Sequence, residues 1–245
     1  RSLDQSRQND YRCQDELTLH PWPLRFSIMN DTRRIKDLLY EQVARIGKAA
    51  GSPKRLELIE LLCQGEKTVD TLARETSISM KLASAHLREL RAAHLVETER
   101  QGKNVIYRIA NRAVAEFWVA IRSLAEDRLV ELKMALAQLT SDPRELTPQD
   151  RDSLVRMAKA GSVVVLDVRP SAEYEAAHLP YAQSMPIEEL KTRLAELPQG
   201  KTIVAYCRGP YCLMARDAVL LLKQQGFEAI HLPEGVAEWG MAPVR

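Results

Sequence analysis

Apolar residues recur every three or four positions through the first half of the chain and in short continuous blocks through the second, so the two halves predict different architectures. Leu38, Leu39, Val43 and Ile46 keep helical spacing until Gly51. Ser52 as N-cap and Pro53 at the first helical position then start a helix carrying Leu56, Ile59, Leu62 and Cys63. Thr68 opens a short helix with Val69, Leu72 and Ala73, and after a turn near Thr76 and Ser77 a longer one carries Ile78, Leu82, Leu87 and Leu90. Beyond His94 the pattern becomes strand-like, with strands over 95–100 and 105–109 about a turn at 101–104, which is a hairpin. A last helix over about 112–139 carries Val114, Trp118, Ile121, Ala125, Leu129, Leu132, Leu136 and Leu139, a stripe suited to a helix–helix seam.

Residues 140–150 hold two prolines and no apolar period, which predicts a linker. Thr147 and Pro148 fit the N-cap and first position of a helix that runs to Ala160 and ends at Gly161. The continuous apolar block 163–168 reads as a buried strand, followed by a helix at 187–197, a strand at 202–206, a strongly apolar helix at 213–225 and a strand at 229–232. Strand–helix alternation of this kind means a parallel-sheet α/β domain. The expected organisation is therefore two domains: a mainly-α one at 29–139 and an α/β one at 147–245. Residues 1–28 are polar and aperiodic and are read as an upstream extension or disordered leader with no assigned role.

Composition narrows the function classes. With 45% hydrophobic and 28% charged residues the chain is ordinary globular protein, not a disordered tail or a collagen-like repeat. Thirty-five basic against 33 acidic residues leave a net charge of only +2, so DNA binding has to come from a local patch. Four cysteines are too few for a disulfide framework and fit a reducing cytoplasm. The longest apolar runs, 163–166 and 218–222, fall far short of the roughly 18–20 residues that cross a bilayer, so no membrane partner is expected.

The order helix, helix, short helix, turn, longer helix, hairpin is that of a winged helix-turn-helix. The segments SPKRLELIELL (52–62), TVDTLA (68–73), ISMKLASAHLRELRAAHLV (78–96) and RQGKNVIYRI (100–109) resemble the ArsR/SmtB family of bacterial repressors over about 33–139. In such a fold the second helix of the motif enters the major groove and must present polar, small and basic residues. The helix at 79–92 offers Lys81, Ser84, His86, Arg88 and Arg91, and Lys103 stands at the hairpin tip. Lys81, Arg88, Arg91, Arg100, Lys103, Arg108 and Arg112 outnumber Glu89, Glu97 and Glu99, so the missing basic excess is local. Relatives of this family often sense metals. Here the thiol pair of the arsenic sensors would fall near Thr68–Asp70, where no cysteine stands, and 112–139 contains no His or Cys; no metal site is expected. Cys63 reads as a core residue.

In the second half the residue to explain is Cys207. It follows the apolar strand IVAY (203–206) and opens CRGPYC (207–212), which leads into a helix. A loop between a buried strand and a helix aims backbone N–H groups at its centre; a thiol there gains a stabilised thiolate, a pKa falling toward neutral and nucleophilic character. Gly209 permits the required backbone and Pro210 stiffens it. The other reading is a buried core cysteine at a strand end. DVRPSAEYEAAHLPYA (167–182) and PEGVAEW (233–239), with this loop, resemble the rhodanese (sulfurtransferase) domain over about 147–244.

That resemblance implies a parallel α/β fold and a persulfide mechanism: Cys207 attacks a sulfane sulfur, holds it as Cys–S–SH within Arg208, Gly209, Pro210, Tyr211 and Cys212, and passes it to a thiol acceptor or cyanide. It also implies that Asp167, Arg169, Glu173 and His178 serve mainly as a hydrogen-bonding and ion-pairing scaffold near the site, with a part in catalysis as the other reading. Related phosphatases carry an Arg six positions after the Cys; Leu213 stands there, which argues against that chemistry. Arg208 is read either as an attractor of anionic donors or as a solvent-facing loop residue. Cys212 is read either as a resolving thiol or as a small residue packed in the first helical turn. No cofactor is implied. The expected protein is a cytoplasmic homodimeric regulator with operator DNA, a small sulfur donor and a thiol acceptor as partners. Its rivals are a sulfurtransferase whose helical half only dimerises it, and a regulator whose rhodanese half is non-catalytic.

Overall fold

The computed structural model describes residues 22–139 and 151–244, and the chain divides into two compact units, 1–45 and 46–245. The predicted linker 140–150, with Thr147 and Pro148, lies outside the described residues, as do residues 1–21 of the predicted leader. Residues 22–28 of that leader are helical instead: α1 spans Trp22–Ala50. Pro23 does not prevent this, because the first turn of a helix has no internal acceptor for its N–H groups. Within the first unit α1 leaves Ile35, Leu38, Leu39, Tyr40 and Val43 exposed.

The second unit begins with the end of α1 and continues through α2 (Pro53–Leu62), β1 (Lys67–Thr68), α3 (Val69–Glu75) and α4 (Met80–Ala92). Thr68 and Ser79 cap α3 and α4, their side chains accepting from the amides of Thr71 and Leu82. The hairpin of β2 (Val96–Gln101) and β3 (Asn104–Ile109) turns on Gly102 and Lys103, with Gly102 at φ +61, and β1 adds a third antiparallel strand in the order β1-β3-β2. This is a winged helix-turn-helix, its core formed by Leu58, Ile59, Leu62, Leu72, Leu87, Leu90, Ile109 and Trp118. The single helix expected over 112–139 is two, α5 (Arg112–Arg128) and α6 (Val130–Leu139). Leu129 is extended, yet its amide still reaches Ala125 O and its carbonyl accepts from Lys133 N, so it ends one helix and starts the next. Burial against the core stops near Arg122: of the predicted seam, Leu129 is exposed and Leu132 and Leu136 are half-buried, and Leu124, Val130 and Met134 beside it are exposed.

The α/β part runs α7 (Arg151–Lys159), β4 (Val163–Asp167), α8 (Ser171–Ala176), β5 (Gln183–Ser184), α9 (Ile187–Arg193), β6 (Thr202–Tyr206), α10 (Met214–Gln224) and β7 (Ala229–Leu232). Its four strands are parallel in the order β5-β4-β6-β7. Along β6, Ile203, Ala205 and Cys207 pack on one face with α10, while Val204 and Tyr206 pack on the other with Leu154 and Val236. Both faces are covered, which is why the strand reads as a continuous apolar block. Register pairs Asp167 with Tyr206, so the loops leaving β4 and β6 meet at one end of the sheet, where open α/β sheets place their sites.

Candidate functional site

The scaffold at that end is a buried polar network. Arg169, fully enclosed, donates from Nε and Nη2 to both Asp167 carboxylate oxygens at 2.6–3.2 Å, from Nη2 to Ala177 O at 2.7 Å, and from Nη1 to Gln64 Oε1 at 2.9 Å. Tyr206 donates its hydroxyl to Asp167 at 2.5 Å and accepts from the Leu179 amide. Every guanidinium nitrogen and both carboxylate oxygens have a partner, which is what makes two buried charges tolerable. Asp167 and Arg169 thus hold the ends of β4 and β6 together and do not touch the thiols. His178 is exposed and stacks on Tyr174 at 4.0 Å, away from the loop.

Arg208 fits neither of its two sequence readings. Its side chain is only 16% exposed, and it is ion-paired with Glu173 at 2.6 Å and Glu75 at 2.8 Å. Lys67 completes the cluster, 2.7 Å from Glu173 and 3.6 Å from Glu75. Burial opposes ionisation of Glu173, but Arg208 and Lys67 overcome it and hold its pKa below the ordinary value. Two cations against two carboxylates leave no net positive charge there to collect an anionic donor.

The loop itself needs glycine twice. Gly209 sits at φ +141, and a Cβ on Gly235 would lie 2.7 Å from the backbone of Cys207 and Arg208, so the turn after β7 presses directly on the loop. Tyr211 packs edge-on against Trp118 at 6.2 Å, with the Arg122 guanidinium 5.7 and 5.9 Å from the two rings. Pro210 is half-buried between them and the glycine.

Cys207 is 1% exposed and Cys212 is half-buried. The Cys207 thiol donates to the Cys212 carbonyl oxygen at 3.3 Å. Backbone amides of Gly209 and Ala215 reach Cys207, and those of Arg208 and Met214 reach Cys212. Burial and the loop backbone act differently on the two thiols. Burial, then the hydrogen bond to Cys212, pushes Cys207 well above the usual thiol range. The same hydrogen bond, with the two amides and Arg208 opposing burial, brings Cys212 down to about 6. Of the two thiols, Cys212 is therefore the one that gives up its proton first. Iodoacetamide labelling of Cys212, read by peptide mass spectrometry, is expected to rise about tenfold between about pH 5 and pH 7 and then level off, because the thiolate is already dominant above its depressed pKa. A rate still climbing steeply at pH 8 is the behaviour of an ordinary thiol and would contradict this assignment.

Several residues at the site come from the winged-helix part and were not anticipated. Gln64, just past α2, donates to Arg208 O at 3.3 Å while accepting from Arg169. Arg122 of α5 pairs with Glu238 at 2.6 Å, and Glu238 accepts from the Gly235 amide. Glu60 of α2 has one carboxylate oxygen enclosed without a hydrogen-bond partner; burial, then the charge of Cys212, lifts its pKa to about 7. Only Arg122 left a trace in the sequence: a charge set one turn beyond Trp118, beside an apolar stripe.

On the helix-turn-helix, Lys81, Ser84, Arg88 and Arg91 are exposed at spacings of three and four along α4, one stripe opposite the buried Ala83, Leu87 and Leu90. His86 departs from the expectation. Its position in the helical turn places it beside the buried face, where it is half-buried. Lys103 is exposed in the hairpin turn, whereas Arg108 is ion-paired with Glu97 and Glu99. Cys63 is a core residue with its pKa raised by burial.

Comparison with known proteins agrees with both halves. Residues 52–98 match the family model "bacterial regulatory protein, arsR family", and 150–242 match "rhodanese-like domain". The HTH-type transcriptional regulator Rv0324 of Mycobacterium tuberculosis is 42% identical over 207 residues, covering 84% of this chain and 91% of that one. The probable adenylyltransferase/sulfurtransferase MoeZ of the same species is 34% identical over 103 residues, 41% of this chain and only 24% of its own length. The winged helix-turn-helix domain Mb0332 of Mycobacterium bovis, solved in solution as a homodimer, is 38% identical, covers 39% of this chain and 89% of that one, and superposes with a TM-score of 0.37. With a winged helix, a parallel sheet carrying the thiol loop, and a relative matched along most of both chains, this protein belongs to the arsR family of DNA-binding bacterial regulators, in the form that carries a rhodanese-like domain behind its winged helix.

Proposed function

We propose that this regulator senses sulfane sulfur: its rhodanese-like half takes a sulfur atom onto Cys207, and the sulfur state of the loop sets the affinity of the winged helix for operator DNA. The observation that carries the reading is the loop after β6, which folds Cys212 back so that the Cys207 sulfur lies 3.3 Å from the Cys212 carbonyl oxygen. Cys212 acts as the base. It takes the Cys207 proton, and the Cys207 thiolate, held by the Gly209 and Ala215 amides, attacks the outer sulfur of thiosulfate or a persulfide. The Cys–S–S⁻ anion stays on the same amides while sulfite or a thiolate leaves, and a thiol acceptor regenerates the loop.

Signalling to DNA runs through backbone and charge that the two parts share. Gln64 grips the Arg208 carbonyl, and Glu75, from the helix before the turn, grips its guanidinium. Lys81, Ser84, Arg88 and Arg91 form the groove-facing stripe, with Lys103 on the backbone at the wing. A homodimer is supported by the exposed apolar residues of α1 and, separately, by those of α5 and α6. No helix among the described residues is long and apolar enough to cross a membrane.

The test is a gel-shift titration on the chain's own promoter, with reduced and polysulfide-treated protein. Operator affinity is expected to change by about tenfold or more on treatment of the wild type, within the usual span of allosteric coupling, and not at all in Cys207→Ser. Equal affinities in all four arms would reject the reading. Unchanged DNA affinity together with turnover of thiosulfate would favour a plain sulfurtransferase.

A further inference from the structure

We infer that Cys207 and Cys212 are a dithiol switch, in which Cys212 resolves a persulfide on Cys207 into a loop disulfide and expels hydrosulfide. This rests on the sulfur uptake proposed above and adds its consequence.

Three observations point this way. The loop folds Cys212 back toward Cys207: the Cys212 amide donates to Gly209 O at 3.1 Å, and the Cys207 sulfur lies 3.3 Å from the Cys212 carbonyl oxygen. Each sulfur has its own two backbone amides, so a negative charge is stabilised on either partner, as a displacement between them requires. Finally, the two thiols differ in access. Cys207 is closed off while Cys212 is half-buried, so a persulfide on Cys207 faces a thiolate of its own loop before any acceptor from solution. A neighbour held in contact competes with a dissolved thiol at an effective concentration no cellular thiol approaches.

The step balances. Cys212 first returns the proton it took to the outer sulfur of the persulfide; its thiolate then attacks the Cys207 sulfur, the persulfide S–S bond breaks, HS⁻ departs with the electron pair, and a Cys207–Cys212 disulfide remains. The sulfane sulfur is reduced to sulfide and the two cysteines are oxidised; the donor, a persulfide or polysulfide, is the only oxidant. Closure also removes the thiolate that lies within electrostatic reach of Glu60 and Arg208, both tied to the winged-helix part. The loop would thus report as a neutral bridge in place of an anion.

The experiment treats reduced full-length wild type, and Cys212→Ser, with sodium polysulfide, removes the excess, and reads mass and released sulfide. Wild type is expected to lose two hydrogens, to release one equivalent of sulfide, and to give tryptic peptides 202–208 and 209–216 joined by a bond that a thiol reductant cleaves. Cys212→Ser, without its base, is expected to gain the mass of one sulfur on Cys207 more slowly, on long treatment, and to release no sulfide from the loop. Wild type that keeps an extra sulfur with both peptides separate overturns the switch while leaving sulfur uptake standing. Wild type and Cys212→Ser that both stay unmodified overturn the uptake itself.

Discussion

Arg169→Ala is expected to cost about 3–5 kcal/mol of unfolding free energy, the usual consequence of removing one member of a buried ion pair. Asp167 would be left charged and enclosed, with only the Tyr206 hydroxyl and the Arg169 amide to satisfy it, and Gln64 and Ala177 O would each lose a donor. Urea unfolding followed by circular dichroism measures this directly. Arg169→Lys is expected to recover only part of the loss, since an ammonium cannot donate side-on to Asp167 and also reach Gln64. Gln64→Ala removes a neutral acceptor and should cost about 1–3 kcal/mol. A fall below about 1 kcal/mol for Arg169→Ala would show that the network is wet and dispensable, contrary to its complete enclosure.

The second large effect falls on DNA. Lys81→Ala/Arg88→Ala removes two cations from the exposed stripe of α4 and is expected to weaken operator binding by about 10- to 100-fold near 0.1 M salt. The slope of log K against log salt should become shallower by about 2, because each lost phosphate contact withholds roughly one counterion. His86→Ala, on the half-buried side of the helix, is expected to change the salt slope little. Fluorescence anisotropy at several salt concentrations separates the two. An unchanged slope in the double variant would mean that α4 does not lie in the groove and that the helical part serves only to dimerise the chain.

The resemblance to two families and the positions of their elements were legible in the residues because the signals are local. Ser52–Pro53 and Thr68 start helices, Gly102 turns the hairpin, and the apolar block before Cys207 is a strand buried on both faces. Local signals also misled. Helical spacing continued through Leu129, so nothing in the pattern announced that burial against the core ends near Arg122. His86 carries a polar label like its neighbours, and only its angular position on the helix separates it from Lys81 and Arg88.

Sequence alone determined the order of helices and strands, the amide-rich bend that receives Cys207, and the basic stripe, since periodicity, capping and glycine geometry depend on neighbours a few residues away. Tertiary structure alone decided how deeply each thiol is buried, that Arg208 is consumed by Glu173 and Glu75, and that Glu60, Gln64 and Arg122 attend a loop more than eighty residues further along the chain. Charge states follow burial and through-space distance, and neither is a property of any short stretch of sequence.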